Sequence, residues 1–225
     1  MENQGNQIRY NGFLSSFALK LIASLTMFID HMGAGIFTRA LGLRIIGRLA
    51  FPIYCFLLVE GFHHTKDRFK YLQRLIIFAF LSEIPFDLLT RNKILEFEHQ
   101  NVYFTLSMGL GLLILLSQEM NFILKGLLCF GISILALETH VDYRHFGILL
   151  ILLFELFRDY RPFAVWTTSR VLFWDSAIEG FGVLAHIPIS LYNGKRGGNG
   201  MKWFFYFFYP GHLLFLYLIR RFFFT

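Results

Sequence analysis

Apolar runs recur along this chain almost from end to end, separated by short polar connections. The longest of them have the length that carries a helix across a bilayer, about 20 residues at full span. They predict helices over 17–37, 45–63, 71–89, 103–116, 122–137, 146–157, 163–174, 180–191 and 204–222. Several are short, and the seventh and eighth read either as half-helices or as one broken span. About nine crossings are expected, with eight and ten as the neighbouring counts. The fold class is therefore all-α, a polytopic integral membrane helical bundle. Residues 1–16 form an N-terminal cytoplasmic segment, and 17–225 a single multi-pass domain. A soluble domain of this size could not hide so many apolar faces. Lipid solvates them while each helix satisfies its own backbone.

Composition agrees with the pattern. The chain is 56% hydrophobic and 16% charged, against roughly 45–50% and about 25% in ordinary soluble domains. Cys55 and Cys129 both sit inside apolar runs and read as packing residues, uninformative about redox compartment. The first run carries charges where the core of a cleavable signal would be clean.

The net charge of +6 is distributed by topology. The connection after the second run holds Lys66, Arg68, Lys70 and Arg74, the densest basic cluster, and is expected on the cytoplasmic side of the cell (inner) membrane. Arg9, Lys20 and the N-terminus then lie inside too, as do Arg158, Arg161, Lys195, Arg196 and Lys202. Arg39 and Arg44 fall on the opposite side and violate the bias. Anionic lipid headgroups are a sufficient partner for this charge, and no nucleic acid is expected.

Charged side chains within the runs are costly and need a purpose. In LKLIASLTMFIDHMG, Lys20, Ser24, Met27 and His31 fall on one stripe at 100° per residue, while Asp30 lies about a quarter turn away, toward a neighbouring helix. Lys20 and His31 are about 16 Å apart by helix rise. The second run holds Arg48, Pro52 and Glu60, with His63 and His64 one turn beyond. The third contains SEIPFD, with Glu83 and Asp87 at i, i+4 around Pro85. Later segments add Asn101 in HQNVYFTL, Asn193, Lys195 and Arg196 in LYNGKRGG, and His212 in FYPGHLLFLY.

Each has a plainer reading. Lys20 can snorkel to the interface. Glu60 with His63 can be a helix-end pair, and Glu83 with Asp87 can serve helix–helix hydrogen bonding. His212 can cap or bridge helices, and Arg158 and Arg161 can mark an interface. His31 departs furthest from such readings, being deep, on a stripe with a cation and next to an acid. A proton relay or substrate path of a transporter, a non-catalytic scaffold and an enzyme site all remain open on these residues.

The blocks LKLIASLTMFIDHMG, IIGRLAFPIYCFLLVEGFHHT, YLQRLIIFAFLSEIPFDLL, QNVYFTL, LYNGKRG and FFYFFYPGHLL resemble, in order, the successive motifs of the TraX family, covering residues 19–214. That family is named for a conjugation protein that acetylates the N-terminus of pilin with acetyl-CoA. The resemblance implies an acyltransferase taking an acetyl group from cytoplasmic acetyl-CoA to an amine or hydroxyl of a protein N-terminus, a sugar or another small acceptor, with no metal. More distantly, the chain is similar to the wider group of membrane-bound acyltransferases whose first span carries Arg, ten residues, then His. Here Lys20 and His31 hold those places, and 51–61 matches the Phe-Pro…Gly block that follows. Lys offers phosphate a point charge where Arg offers a fork.

The resemblance implies roles. His31 is the general base, with Asp30, Glu60 or Glu83 orienting it. Lys20, Arg48, Arg74, Lys195 and Arg196 face the coenzyme A phosphates. His63, Asp87, Asn101, Asn193 and His212 are further motif residues. The competing expectations are a proton-coupled membrane transporter and a non-catalytic pilus or envelope assembly factor.

Overall fold

The computed structural model describes residues 12–198 and 201–224; most of the expected N-terminal segment, with Arg9, lies outside the described residues. Within them the chain is all-helical. In order come α1 (Ser16–Gly35), α2 (Leu41–Gly47), α3 (Ala50–His64), α4 (Arg68–Arg91), α5 (Val102–Leu116), α6 (Phe122–Glu138), α7 (Arg144–Leu156) and α8 (Arg161–Asp175). A 3₁₀ segment (Glu179–Ala185), α9 (His186–Ser190) and α10 (Lys202–Phe223) complete the order. Two isolated bridges, Leu14–Tyr192 and Gln100–Val141, tie connections together at the two ends of the bundle.

Helix starts follow the local chemistry. Ser15, Asp67, Asn101 and Asn121 each accept a backbone N–H of the first turn, from Ala18, Lys70, Tyr103 and Leu124, which satisfies donors that helix geometry leaves open. The longest helix, α4, runs unbroken through Pro85 and ends on Asn92 in the left-handed conformation, φ 57°, a residue type that tolerates it.

Contacts give the helix directions. Along α1, Lys20 lies by Phe205 and His31 by His212, so α1 and α10 run parallel. Ser24 meets Tyr54 and Asp30 meets Arg48, so α3 runs against α1. Arg74 meets Tyr206 while Arg220 reaches Leu88 and Leu89, setting α4 parallel to α10. Phe51 stacks on Tyr143 and Glu60 pairs with Arg158, setting α7 parallel to α3. The bundle thus has two ends. One gathers the start of α1, the α3–α4 connection and residues 191–198; the other gathers the end of α1, residues 92–101 and residues 139–143.

Two helical legs are long and apolar enough to cross a membrane, Ser16–Gly35 and the α2–α3 leg Leu41–His64. The other expected spans fall short of that standard. Among them, α5 is apolar but has 15 residues, α7 has 13, and α4 carries Arg68, Lys70, Arg74, Glu83, Asp87 and Arg91. The seventh and eighth expected spans are two separate elements that pack on each other through Thr168 and His186, and the break lies within the eighth. Large apolar side chains stay exposed across the bundle, among them Leu25, Ile77, Phe80, Phe122, Phe130, Trp174 and Phe215. Large apolar side chains exposed in such number are unusual for a soluble monomer.

The core lies where α1, α3, α5 and α10 converge, on Leu19, Ala23, Ile53, Leu110, Leu213 and Leu216. One contact sets how closely α1 meets α2. A Cβ on Gly47 would lie 2.2 Å from both Cβ and Oδ1 of Asp30. Gly47→Ala is therefore expected to cost about 1–3 kcal/mol of stability by overpacking. Gly42→Ala, with open space around it, should be neutral or gain up to about 1 kcal/mol from helix propensity. Thermal unfolding of the purified variants in detergent reads both. Equal melting of the two would show that the α1–α2 contact yields without cost.

Candidate active site

The stripe on α1 leads to the site. Ser24 is buried and shares a 2.8 Å hydrogen bond with the Tyr54 hydroxyl. One turn further, Met27 and His31 line a cavity of about 340 Å³. This is the size of a small-molecule site. Tyr54 and Phe51 of α3, Tyr209 of α10, and His99, Asp142 and Tyr143 of the connections complete much of its wall.

Asp30 points from α1 to the α2–α3 leg, as its place off the stripe requires. Its Oδ2 accepts from Arg44 at 2.6 Å and its Oδ1 from Arg48 at 2.5 Å. Arg48 spends its remaining donors on the Glu179 carboxylate, the Tyr143 hydroxyl at 3.4 Å and the Arg44 carbonyl at 3.3 Å. A buried acid, a half-buried one and two guanidiniums form one compensated cluster, the condition under which charges are tolerated away from water. Two expectations change here. Arg48 is engaged by protein carboxylates on the wall of the His31 cavity, at the opposite end of α1 from the cations around Lys20. Asp30 is occupied by guanidiniums and does not hydrogen-bond His31. Arg44, which broke the charge bias as a loop residue, has its partner in Asp30.

The partner of His31 is His212, Nδ1 to Nε2 at 2.8 Å. The proton positions follow from chemistry. His212 Nδ1 lies 2.7 Å from the Phe208 carbonyl, which can only accept, so that nitrogen carries hydrogen. In the neutral ring, Nε2 of His212 is then an acceptor. His31 must donate to it from Nδ1, and Nε2 of His31 is left with an open lone pair. A second imidazole thereby does the orienting that Glu60 or Glu83 was expected to do. His212 is buried, and its ring stacks against Phe208.

The other expected residues separate into groups. Lys20 lies over the Phe205 ring, and Arg196 and Lys202 are near enough to act on its charge. Arg74 in turn acts on Lys202 and lies 3.4 Å from the Tyr206 hydroxyl. The loop holding Lys195 and Arg196 is pinned to the start of α1, its carbonyls accepting from Ser16 and Phe17 at 2.9 and 3.0 Å. Asn193 shapes that loop, bonding Leu14, Phe13 and Lys195. Among the described residues no carboxylate forms an ion pair with Lys20, Arg74, Lys195, Arg196 or Lys202. Such a gathering of like charges suits a polyanion. It sits eleven helical residues, about 16 Å, from His31.

Glu60 is at this basic end, paired with Arg158 at 3.0 Å beside a separate cavity of about 120 Å³. His63 bonds Glu155 at 2.7 Å. Glu83 accepts from Asn101, whose amide also donates to the Ala79 carbonyl at 2.8 Å. Asp87 accepts from the Glu96 backbone at 2.7 Å. Lys93 holds the Glu96 carboxyl below its ordinary range through a hydrogen-bonded ion pair. These bonds fix the connection that carries His99 to the cavity. Among the described residues, no group of three or more His, Cys, Asp or Glu is arranged to hold a metal ion.

Several residues of the cavity wall, and Glu179 of the ion cluster behind it, escaped the sequence pattern. Arg44 had a signal in its anomalous charge. Tyr54 and Tyr209 read as ordinary members of aromatic helices, while His99, Asp142, Tyr143 and Glu179 lie in or beside connections where periodicity is silent.

A sequence profile described as TraX protein matches residues 15–220. The chain is also similar to a Dichelobacter nodosus protein named "Probable fimbrial assembly protein FimC, serogroup H1", 30% identical over 236 aligned positions that take in 90% of this chain and 94% of that one. No solved structure matches.

Proposed function

The chain belongs to the TraX family, and on that premise we propose that it is a multi-pass membrane acyltransferase. It takes an acetyl group from acetyl-CoA at the basic end and passes it to an amine or hydroxyl that meets His31 near the other end. The observation that carries this reading is the His31–His212–Phe208 chain on the wall of the cavity, in which a neutral His31 carries its hydrogen on Nδ1 and keeps Nε2 as an acceptor. A base in that state can take the acceptor's proton as the acceptor attacks a thioester carbonyl. The unpaired cations around Lys20 would hold the phosphates of the donor. In this reading all nine helical legs cross the membrane, with the basic end and the N-terminus cytoplasmic, and exposed Phe and Leu meet lipid.

The similar protein's name speaks of fimbrial assembly, and this supports a second reading, a non-catalytic assembly factor. A modifying enzyme acting on a fimbrial subunit would also serve assembly, so chemistry must separate the two. Purified protein in oriented vesicles, given acetyl-CoA on one side at a time, is expected to release free thiol only from the side of the basic end. Water can act as acceptor in this assay. Lys20→Ala should raise the half-saturating acetyl-CoA concentration about tenfold, the loss of one charge-assisted contact. Thiol release from both sides alike would overturn the route, and no release from either would favour the assembly factor.

A further inference from the structure

The connection between α6 and α7 forms part of the cavity wall and, with the first residue of α7, holds three of the four non-glycine residues with positive φ among the described residues. His140, Tyr143 and Arg144 have φ of 50°, 61° and 43°, a region that bulky L-residues rarely occupy and that persists where the surroundings dictate it. Those surroundings are visible. Gln100 donates to the His140 carbonyl at 3.0 Å, Asp142 to the Gln100 carbonyl at 2.9 Å and Arg144 to the Val141 carbonyl at 2.8 Å. The Thr105 hydroxyl donates to the Asp142 carbonyl.

The outcome of this constraint is the position of one ring. Tyr143 lies flat on the buried Phe51, centroids 3.6 Å apart and planes within 6°. Gly147 leaves the stack its room, since a Cβ there would come within 2.5 Å of Thr105 Cγ2 and 3.1 Å of Tyr143 Cβ. The Tyr143 oxygen accepts from Arg48, while its own hydrogen has no acceptor among the described residues. Burial keeps the phenol protonated, its pKa pushed far above the ordinary value. The result is a donor polarised by a guanidinium, with its hydrogen unspent, on the wall of the cavity that His31 also lines.

We propose that Tyr143 is a catalytic residue that donates its phenolic hydrogen bond to the oxygen of the reacting acyl carbonyl. This rests on the acyltransferase reading. His31 Nε2 removes the acceptor's proton as the acceptor's nitrogen or oxygen bonds to the carbonyl carbon. The carbonyl oxygen gains charge, and Tyr143, backed by Arg48, stabilises it. Collapse breaks the carbon–sulfur bond, and the imidazolium of His31 returns the proton to the departing thiolate. The products are the acylated acceptor and a free thiol. A donor aimed at developing charge in a site shielded from water acts mainly on the transition state.

The test is acetyl-CoA hydrolysis, followed by thiol release. Tyr143→Phe keeps the ring, its stack and its backbone. It is expected to lower kcat about 10²–10³-fold with KM changed less than about threefold and a melting temperature lowered by no more than a few degrees, since Arg48 loses one acceptor. Fluorotyrosines of graded acidity at position 143 should give rates that track phenol acidity, which a packing role would not produce. A Tyr143→Phe variant with undiminished kcat, or a flat fluorotyrosine series, overturns the role of Tyr143 and leaves the acyltransferase reading standing. No thiol release by the unsubstituted protein overturns both.

Discussion

His31→Ala is expected to lower acetyl transfer by about 10²–10⁴-fold, the usual contribution of a positioned base, while acetyl-CoA affinity stays within about threefold. The separation of effects follows from position. The ring that would take the proton is eleven helical residues from the cations that would hold the phosphates, so its removal should not disturb them. His212→Phe should be the informative companion. It keeps a planar ring beside Phe208 but removes the acceptor that holds the hydrogen of His31 on Nδ1. The imidazole then keeps only its Met27 backbone contact, so its orientation and tautomer are less firmly set. Losing an outer partner of this kind typically costs about 10–100-fold. Calorimetric titration of acetyl-CoA and single-turnover transfer measure the two quantities separately. If His31→Ala and Lys20→Ala weakened binding equally and left turnover alike, the division of labour along α1 would be wrong.

Arg48→Met is expected to be the most destabilising single change at the site. Arg48 is buried and joins two acids, Asp30 and Glu179, from elements on either side of it. Removing it leaves Asp30 with Arg44 alone and takes the guanidinium from Glu179. Breaking one side of a buried ion cluster costs about 3–5 kcal/mol because the remaining charge stays desolvated. For a chain of this length that is a fall in Tm of roughly 6–20 °C. Arg48→Lys should fall between, since an ammonium keeps the charge but cannot bridge both acids and Tyr143 at once. Arg48→Met combined with Glu179→Gln should recover part of the loss, because neutralising that acid removes the charge left without a counterion while Asp30 keeps Arg44. An Arg48→Met protein melting within about 1 °C of the unsubstituted one would mean that water solvates the cluster.

Much of the architecture was legible along the chain. Helices form where apolar side chains recur and where Ser15, Asp67, Asn101 and Asn121 can cap, and all of these are facts about neighbours in sequence. The stripe from Lys20 to His31 is likewise a property of one helix. The grouping of Arg74, Lys195 and Arg196 with Lys20 could be anticipated because an excess of positive charge collects in connections on one side of a helical membrane bundle. Even the misplaced Arg44 carried information, as a cation where the charge bias allows none.

A helix dictates which residues meet only at three and four positions' distance. That range decides that Asp30 looks away from the Lys20–His31 stripe, but not what it looks at. His31 and His212 are 181 positions apart, and they meet because α1 and α10 pack in parallel at matching height. The same geometry carries Glu60 to the basic end, since α3 runs against α1, and seats Glu83 on Asn101, since α5 runs against α4. Tyr143 and Glu179 enter the site from a connection and a 3₁₀ segment, where neither periodicity nor capping marks a residue. The sequence by itself determined the helices, their charged stripe and the basic end, because those depend on local spacing and on charge near the chain's turns. Which imidazole, acid and guanidinium became partners was decided only by tertiary packing, because side chains reach a few ångströms and helix direction and height set what lies within that reach.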